Sequence, residues 1–298
     1  MFSKKGVQGT FNFLGKMAEE YPNILKLLVK DAQDIAGHGY SHQHLDGSSY
    51  NDQHLEIIKT IESIQEACGH RIRGWRSPYG TYDKTTYDIL EEQKFLWTSN
   101  WSRSLWGSLP FYPVIEDHKY SLLEIPFDDV HFDAVMYRAN NIPPKVVEQM
   151  WLNYARFIRR YKNLFVLLNH PVNLAEKEER ELIIGSILQK LESLSDIWIA
   201  SCEQITRRYE LLSKIHIVVN QFKVSKKLTE LSLTVKNRSN VQVDDLGVVY
   251  ESPNRFTDSD SNADGIARWS FNDLVRVNIR VRIKANSERD ILVLLKNK

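Results

Sequence analysis

Cysteine is nearly absent. Two residues, Cys68 and Cys202, stand in a chain of 298. They cannot build a disulfide framework, and their separation excludes a Cys-x-x-Cys metal or redox site, so they leave the redox compartment open. Long apolar runs are missing as well. No stretch approaches 18 residues, so no membrane span is expected. The opening Met-Phe-Ser-Lys-Lys-Gly leads into a strand-like run with no apolar signal region, which makes the cytoplasm the default expectation. Excess charge of one sign is also lacking. Lys and Arg number 39 against 38 Asp and Glu, a net charge of +1. No global field attracts nucleic acid or an anionic membrane surface, and neither is expected as a partner. There is no internal repeat and no low-complexity block.

What is present is globular. The chain is 42% hydrophobic and 26% charged, long enough for one large domain or two ordinary ones. Residues 7–14 read as a buried strand and 16–33 as a helix whose regular part starts at Pro22. A short strand at Asp34–Ala36 follows. The pattern then predicts a helix over 52–68 capped by Asn51, a strand at 71–75, a turn at 76–80, and a helix at 84–92. Strands follow at 95–97 and 122–126, a helix at 144–161, a strand at 164–168, a helix at 178–193 and a strand at 197–200. Such alternation implies an α/β domain with a parallel sheet, closed or nearly closed as a barrel. Beyond residue 212 the period changes to two. Leu231, Leu233 and Val235 alternate with polar residues, as do Val275, Val277, Ile279, Val281 and Ile283 with Arg276, Asn278, Arg280, Arg282 and Lys284. One-sided antiparallel strands have this pattern, and the basic stripe is read as their solvated face. Residues 252–266, rich in Asp, Ser and Asn, read as an exposed loop.

The chemistry concentrates in residues 34–45. His38 and His42, four apart, can aim two imidazoles at one ion, and His44 follows closely. Nine histidines in 298 residues give about 0.3 such pairs by chance, so spacing alone leaves a hydrogen-bonded loop pair equally open. A helical zincin motif is weaker still. Gly39 stands where that motif has its glutamate, and Gly37 and Gly39 both disfavour helix.

The flanking residues resemble a known family. His38-Gly-Tyr-Ser-His42, then Gly74-Trp-Arg-Ser-Pro-Tyr-Gly80, then Phe165-Val-Leu-Leu-Asn-His-Pro171, with the lead-in Gly6–Gly15, are similar in kind and order to the polysaccharide deacetylases. These are metal-dependent carbohydrate esterases with a NodB-homology domain. The resemblance covers about residues 1–210. It implies a distorted, N-terminally incomplete (β/α) barrel over 1–212, and the period-two pattern beyond it implies a small antiparallel β-sandwich-like domain over 213–298. It implies hydrolysis of a non-peptide C–N bond, most naturally deacetylation of an N-acetylated sugar or a related small amide, with a divalent metal such as zinc. His38 and His42 would be metal ligands, His170 the general acid, and Arg76 the partner that orients an aspartate base. Pro78, Tyr79, Gly80 and Trp101 would line the substrate groove, where Trp97, Trp106, Phe111 and Tyr112 could also stack on sugar. Gly39 departs from the family's usual Ser or Thr. The family's Asp pair on its first strand supplies the base and the third ligand. Here the chain starts at what looks like the second strand and no counterpart precedes Val7, so either the first strand lies upstream of residue 1 or the base and one ligand are lacking. Asp46 and Asp128 are the substitute bases to consider. Little or no turnover by these residues alone is therefore expected, and a catalytically inactive relative that binds carbohydrate or acts as a scaffold is the alternative.

Overall fold

The computed structural model describes residues 2–102, 109–161, 163–194, 197–252, 256–271 and 274–297. Trp106, one of the aromatic groove candidates, lies outside them. The chain divides into two compact units, Met1–Thr206 and Arg207–Lys298.

The first unit is built on a parallel sheet. Its strands are β1 (Thr10–Phe13), β2 (Asp34–Gly37), β3 (Gly74–Trp75), β4 (Trp97–Thr98) and, after a two-residue hairpin pair β5 (Val114–Ile115) and β6 (His118–Lys119), β7 (Leu123–Glu124). They pair in the order β1-β2-β3-β4-β7, every pair parallel. Parallel neighbours need crossovers, and helices supply most of them. These are α1 (Gly15–Glu20), α2 (Pro22–Lys30), α3 (Tyr50–Cys68) and α4 (Lys84–Glu92). The single helix expected over 16–33 is two, because Tyr21, with φ −130° and ψ 52°, precedes a proline and is steered out of the helical region. The α3 N-cap is Ser49, whose side chain accepts from Asp52 N, rather than Asn51.

Two tryptophans fill the sheet's core, and two glycines make room for them. A Cβ on Gly37 would lie 2.7 Å from the Trp75 ring, and one on Gly74 would lie 2.0 Å from the Trp97 ring. Trp97 is therefore core, 1% exposed, and cannot stack on a ligand. A second cluster gathers Trp151, Tyr137, Ile183 and Ile187 from α5 (Pro144–Tyr161), α7 (Glu178–Glu192) and the π-helical turn Ala134–Ala139. The short α6 (Pro171–Ala175) precedes α7. Two expected strands are not formed. Residues 164–168 and 197–200 carry no ladder, because an apolar run does not by itself supply a pairing edge.

The second unit starts within α8 (Cys202–Leu212), then holds β8 (Ile215–Val224), β9 (Leu228–Asn237), β10 (Val243–Ser252), β11 (Phe256–Ser261), β12 (Gly265–Phe271), β13 (Leu274–Ile283) and β14 (Ser287–Asn297). Two antiparallel sheets, β10-β13-β12 and β11-β14-β9-β8, feed one core that includes Leu231, Leu233, Val235, Val277, Ile279, Val281, Ile283, Ile291 and Val293. Arg280, Arg282 and Lys284 face solvent. The segment expected as an exposed loop contains strand β11. Its Phe-Thr-Asp-Ser-Asp-Ser pairs with β14, so ladder partners outweigh poor intrinsic strand preference.

Asp34, buried on β2, ties the sheet to α8. Its carboxylate accepts from Thr10 Oγ1 at 2.8 Å and Glu203 N at 3.0 Å. Burial nonetheless pushes the carboxyl from 3.8 up to about 6. The folded protein thus keeps this proton to higher pH than the unfolded chain, and wild-type stability is lost as pH rises from about 4 to about 6. Asp34→Asn stays neutral and escapes that loss. Its stability relative to wild type should rise by up to about 3 kcal/mol between pH 4 and pH 7, read from urea midpoints. A constant difference across that range would sink the assignment.

Candidate active site

Parallel strands deliver their carboxyl ends to one edge, where βα loops collect functional groups. His38 follows β2, Arg76 follows β3 and Ser99–Trp101 follow β4. His38 N donates to Phe13 O at 3.0 Å. Its Nδ1 lies 2.8 Å from Arg76 O, so the bond assigns the proton to Nδ1 and leaves Nε2 a free lone pair. The loop then turns through two left-handed residues, Gly39 (φ 78°) and His42 (φ 64°). That turn brings the His42 ring edge-to-face with His38, centroids 5.1 Å apart. Burial pushes His38 down from 6.5 to about 4, helped by the charges of Arg76, His42 and His170. His42 is lowered too, by burial first and then by His170. Both rings are therefore neutral near pH 7, the state in which imidazole can ligate.

Arg76 is buried without a carboxylate. Nη1 donates to Ser99 O at 2.8 Å and to Ser99 Oγ at 3.2 Å, and the guanidinium lies 4.0 Å over the Phe127 ring. Burial pulls it down to about 10, against the support of the Glu124 and Cys202 charges. Among the described residues it makes no ion pair, so the base-orienting contact expected of it is replaced by a carbonyl, a hydroxyl and an aromatic face. The next residues form a 3-10 turn, Pro78–Gly80. Pro78 is buried, while Tyr79, itself at φ 59°, is 63% exposed. The Tyr79 ring is held between His44, stacked at 4.1 Å, and His42 at 4.6 Å. Trp101 stacks on Tyr82 at 6.0 Å and meets Phe111 edge-on at 5.1 Å. Its buried Nε1 has no partner among the described residues. Tyr112 lies 5.9 Å from the Lys119 ammonium.

His170 is close enough for its charge to depress both other histidines. Its Nδ1 lies 2.7 Å from Asp133 Oδ1, its backbone N donates to Asp133 Oδ2 at 2.6 Å, and Asn173 Nδ2 donates to the same oxygen at 3.0 Å. Asp133 is fully buried. This aspartate went unread in the sequence. The acid-rich Phe127–Asp133 segment was the available signal, but spacing does not say which of its three aspartates turns toward residue 170. Asp128 is otherwise engaged. Burial raises its carboxyl, yet bonds from His131 and Val130 outweigh this and hold it at about 2, which makes it a poor base. Asp46 is half-exposed beside His44 at 3.7 Å.

The donor set suits a divalent ion in kind but not in number. Two neutral imidazoles, one with its Nδ1 proton anchored on a carbonyl, are what zinc ligation uses. Catalytic zinc sites use three protein ligands, and among the described residues no group of three His, Cys, Asp or Glu is placed to hold an ion.

A parallel-sheet α/β domain with its histidines at the carboxyl edge is the class this geometry defines. Residues 1–96 match the polysaccharide deacetylase family. Curated relatives include the peptidoglycan-N-acetylglucosamine deacetylase of Bacillus cereus, 33% identical over 90 residues, which are 30% of this chain and 33% of that protein. The peptidoglycan deacetylase of Helicobacter pylori is 21% identical over 200 residues, 57% of this chain and 68% of that one. The chain thus spans only a third of the first of these. Solved structures with the same fold include a polysaccharide deacetylase assignment from Mycobacterium smegmatis, with TM-score 0.65, 24% identity and coverage of 71% of this chain and 75% of that one. Another is the allantoinase PuuE, with TM-score 0.59, 15% identity and coverage of 70% and 69%. Residues 1–96 thus resemble the polysaccharide deacetylase family, and the first unit shares its fold with these solved structures.

Asp133 fixes which nitrogen of His170 is presented. Asp133→Asn keeps the volume but puts an amide that can donate where an acceptor stood. The expected outcome is a switch of the His170 ring proton from Nδ1 to Nε2, read from ring ¹⁵N shifts, with the fold retained. An unchanged ¹⁵N signature would mean that Asp133 does not set the tautomer.

Proposed function

We propose that the first unit carries the ligand-and-acid half of a metal-dependent amide-hydrolase site, acting on the N-acetyl group of a sugar polymer or a related small amide. The observation that supports this reading most is the convergence of a neutral histidine pair with a third histidine oriented by a buried aspartate. His38 and His42 would hold the divalent ion, most suitably zinc, which supplies carbonyl polarisation and a more acidic water when bound. The remaining steps belong to the chain. His170, its Nδ1 fixed on Asp133, presents Nε2 as a general acid to the departing amine. Arg76 O orients His38, and the buried Arg76 charge favours any carboxylate that enters beside it. Tyr79 and Trp101 offer ring faces to a sugar, with Pro78 and Gly80 shaping the turn between them. The relatives' named substrates, peptidoglycan and its N-acetylglucosamine, share the N-acetylated amino sugar. In this reading the parallel sheet belongs to a distorted (β/α) barrel over residues 1–212. Residues 213–298 are a β-sandwich without catalytic groups.

The two-ligand set, and the lack of a free base among the described residues, favour one other reading, a relative that binds oligosaccharide without cleaving it. Acetate release from N-acetylglucosamine oligomers separates the two. Under the hydrolase reading, turnover with zinc is slow, is abolished by a chelator or by His38→Ala with His42→Ala, and falls a further 10²–10⁴-fold, roughly, in His170→Ala. Release indifferent to the chelator and to His170 would overturn the site. Oligomer binding with no detectable acetate would establish the binding reading instead.

A further inference from the structure

Three bonds in the histidine loop converge on a residue that plays no part in the site described above. Glu56 sits in the second turn of α3. Its Oε2 accepts from Tyr40 N at 2.9 Å and from Ser41 N at 3.1 Å, and its Oε1 accepts from Ser41 Oγ at 2.7 Å. All three donors belong to the residues immediately before His42, and Glu56 makes no ion pair among the described residues. The opposite side of the loop is held as well. Gly39 O and Tyr40 O accept from Gly15 N and Lys16 N, both at 3.0 Å. The loop is clamped between a carboxylate on its amides and the first amides of α1 on its carbonyls.

The clamp has something to hold. Gly39 and His42 bracket it in the left-handed region. For a histidine that conformation is unfavourable and persists only where the surroundings over-determine it. His38 does not depend on the clamp, since its backbone N is bound to Phe13 O and its Nδ1 to Arg76 O. Among the described residues the His42 ring is bonded to no other residue's backbone and meets only the His38 and Tyr79 rings edge-on. We infer that Glu56 is a positioning residue for His42, holding that imidazole beside His38 as a preformed half of a divalent-cation site. The inference rests on the reading of the two histidines as ligands, and it assigns to α3 the task of fixing their spacing.

The test uses residues 1–298 and zinc alone, with affinity measured by competition against a chromophoric chelator, so that acetate release plays no part. Glu56→Ala removes all three acceptors, and zinc affinity should fall about 10-fold or more, the loss typical when an outer-shell partner is removed. Glu56→Gln is nearly isosteric. Its carbonyl oxygen can take both amides and its amide can donate to Ser41 Oγ, so affinity should stay within about threefold of wild type. Ser41→Ala, which removes one bond and leaves the helix untouched, should give a smaller loss than Glu56→Ala. This variant decides the matter if Glu56→Ala fails to fold. Equal affinity in Glu56→Ala and wild type, or in Ser41→Ala and wild type if Glu56→Ala fails to fold, overturns the inference. So does an equal loss in Glu56→Ala and Glu56→Gln, or wild-type binding that ignores His42→Ala. A protein that binds zinc in this pattern yet releases no acetate keeps the inference and loses the hydrolase reading.

Discussion

A buried carboxylate with four donors organises the edge on which the site stands. Glu124, at the end of β7 and wholly inaccessible, accepts from Tyr87 Oη at 2.7 Å, Asn100 N at 2.8 Å and Trp101 N at 2.9 Å, and from Thr98 Oγ1. One side chain thereby joins α4, β4 and the segment after β4. Burial pushes its carboxyl up against the pull of those donors, so the arrangement holds only while the donors are complete. The segment it fixes passes the constraint on. Asn100 Oδ1 accepts from Ser77 N at 2.7 Å, next to Arg76, and Arg76 O in turn orients His38. From a polar knot at the far strand, a chain of short bonds runs across three strands to the first histidine.

The same kind of contact explains what could be read from the sequence and what could not. Local signals worked where the physics is local. The His38–His42 spacing, the proline break at Tyr21–Pro22 and the period-two pattern of Val277, Ile279 and Val281 all concern neighbours in the chain. Glu56, Asp133 and Glu124 carry no local mark, since each acts on residues 15 or more positions away. The aromatic residues make the point differently. Trp97 and Trp101 are four apart and alike in composition, yet Trp97 is sealed because Gly74 lacks a Cβ, whereas Trp101 reaches the partly open cluster of Tyr82 and Phe111. Residues 164–168 are as apolar as any strand in the chain, but apolarity does not supply the partner that a ladder needs.

Electrostatics gives the site a definite sign. His38 is held neutral, pushed down to about 4 by its surroundings, while Arg76 at about 10 remains charged at neutral pH. Under the hydrolase reading, the two histidine donors would therefore be uncharged and would stand beside a buried positive charge. A divalent cation entering there meets a buried like charge across a region of low dielectric, where repulsion is several times stronger than in water. Two neutral imidazoles contribute lone pairs but no charge to offset it. A carboxylate does both, pairing with the guanidinium and cancelling part of the cation's charge, so the arrangement of His38, His42 and Arg76 selects for an acid as the remaining member of the site. That requirement is set by the charges of residues already in place. Under the hydrolase reading it would hold whether the carboxylate belonged to protein, substrate or solution, and cation and anion would then reinforce each other's binding.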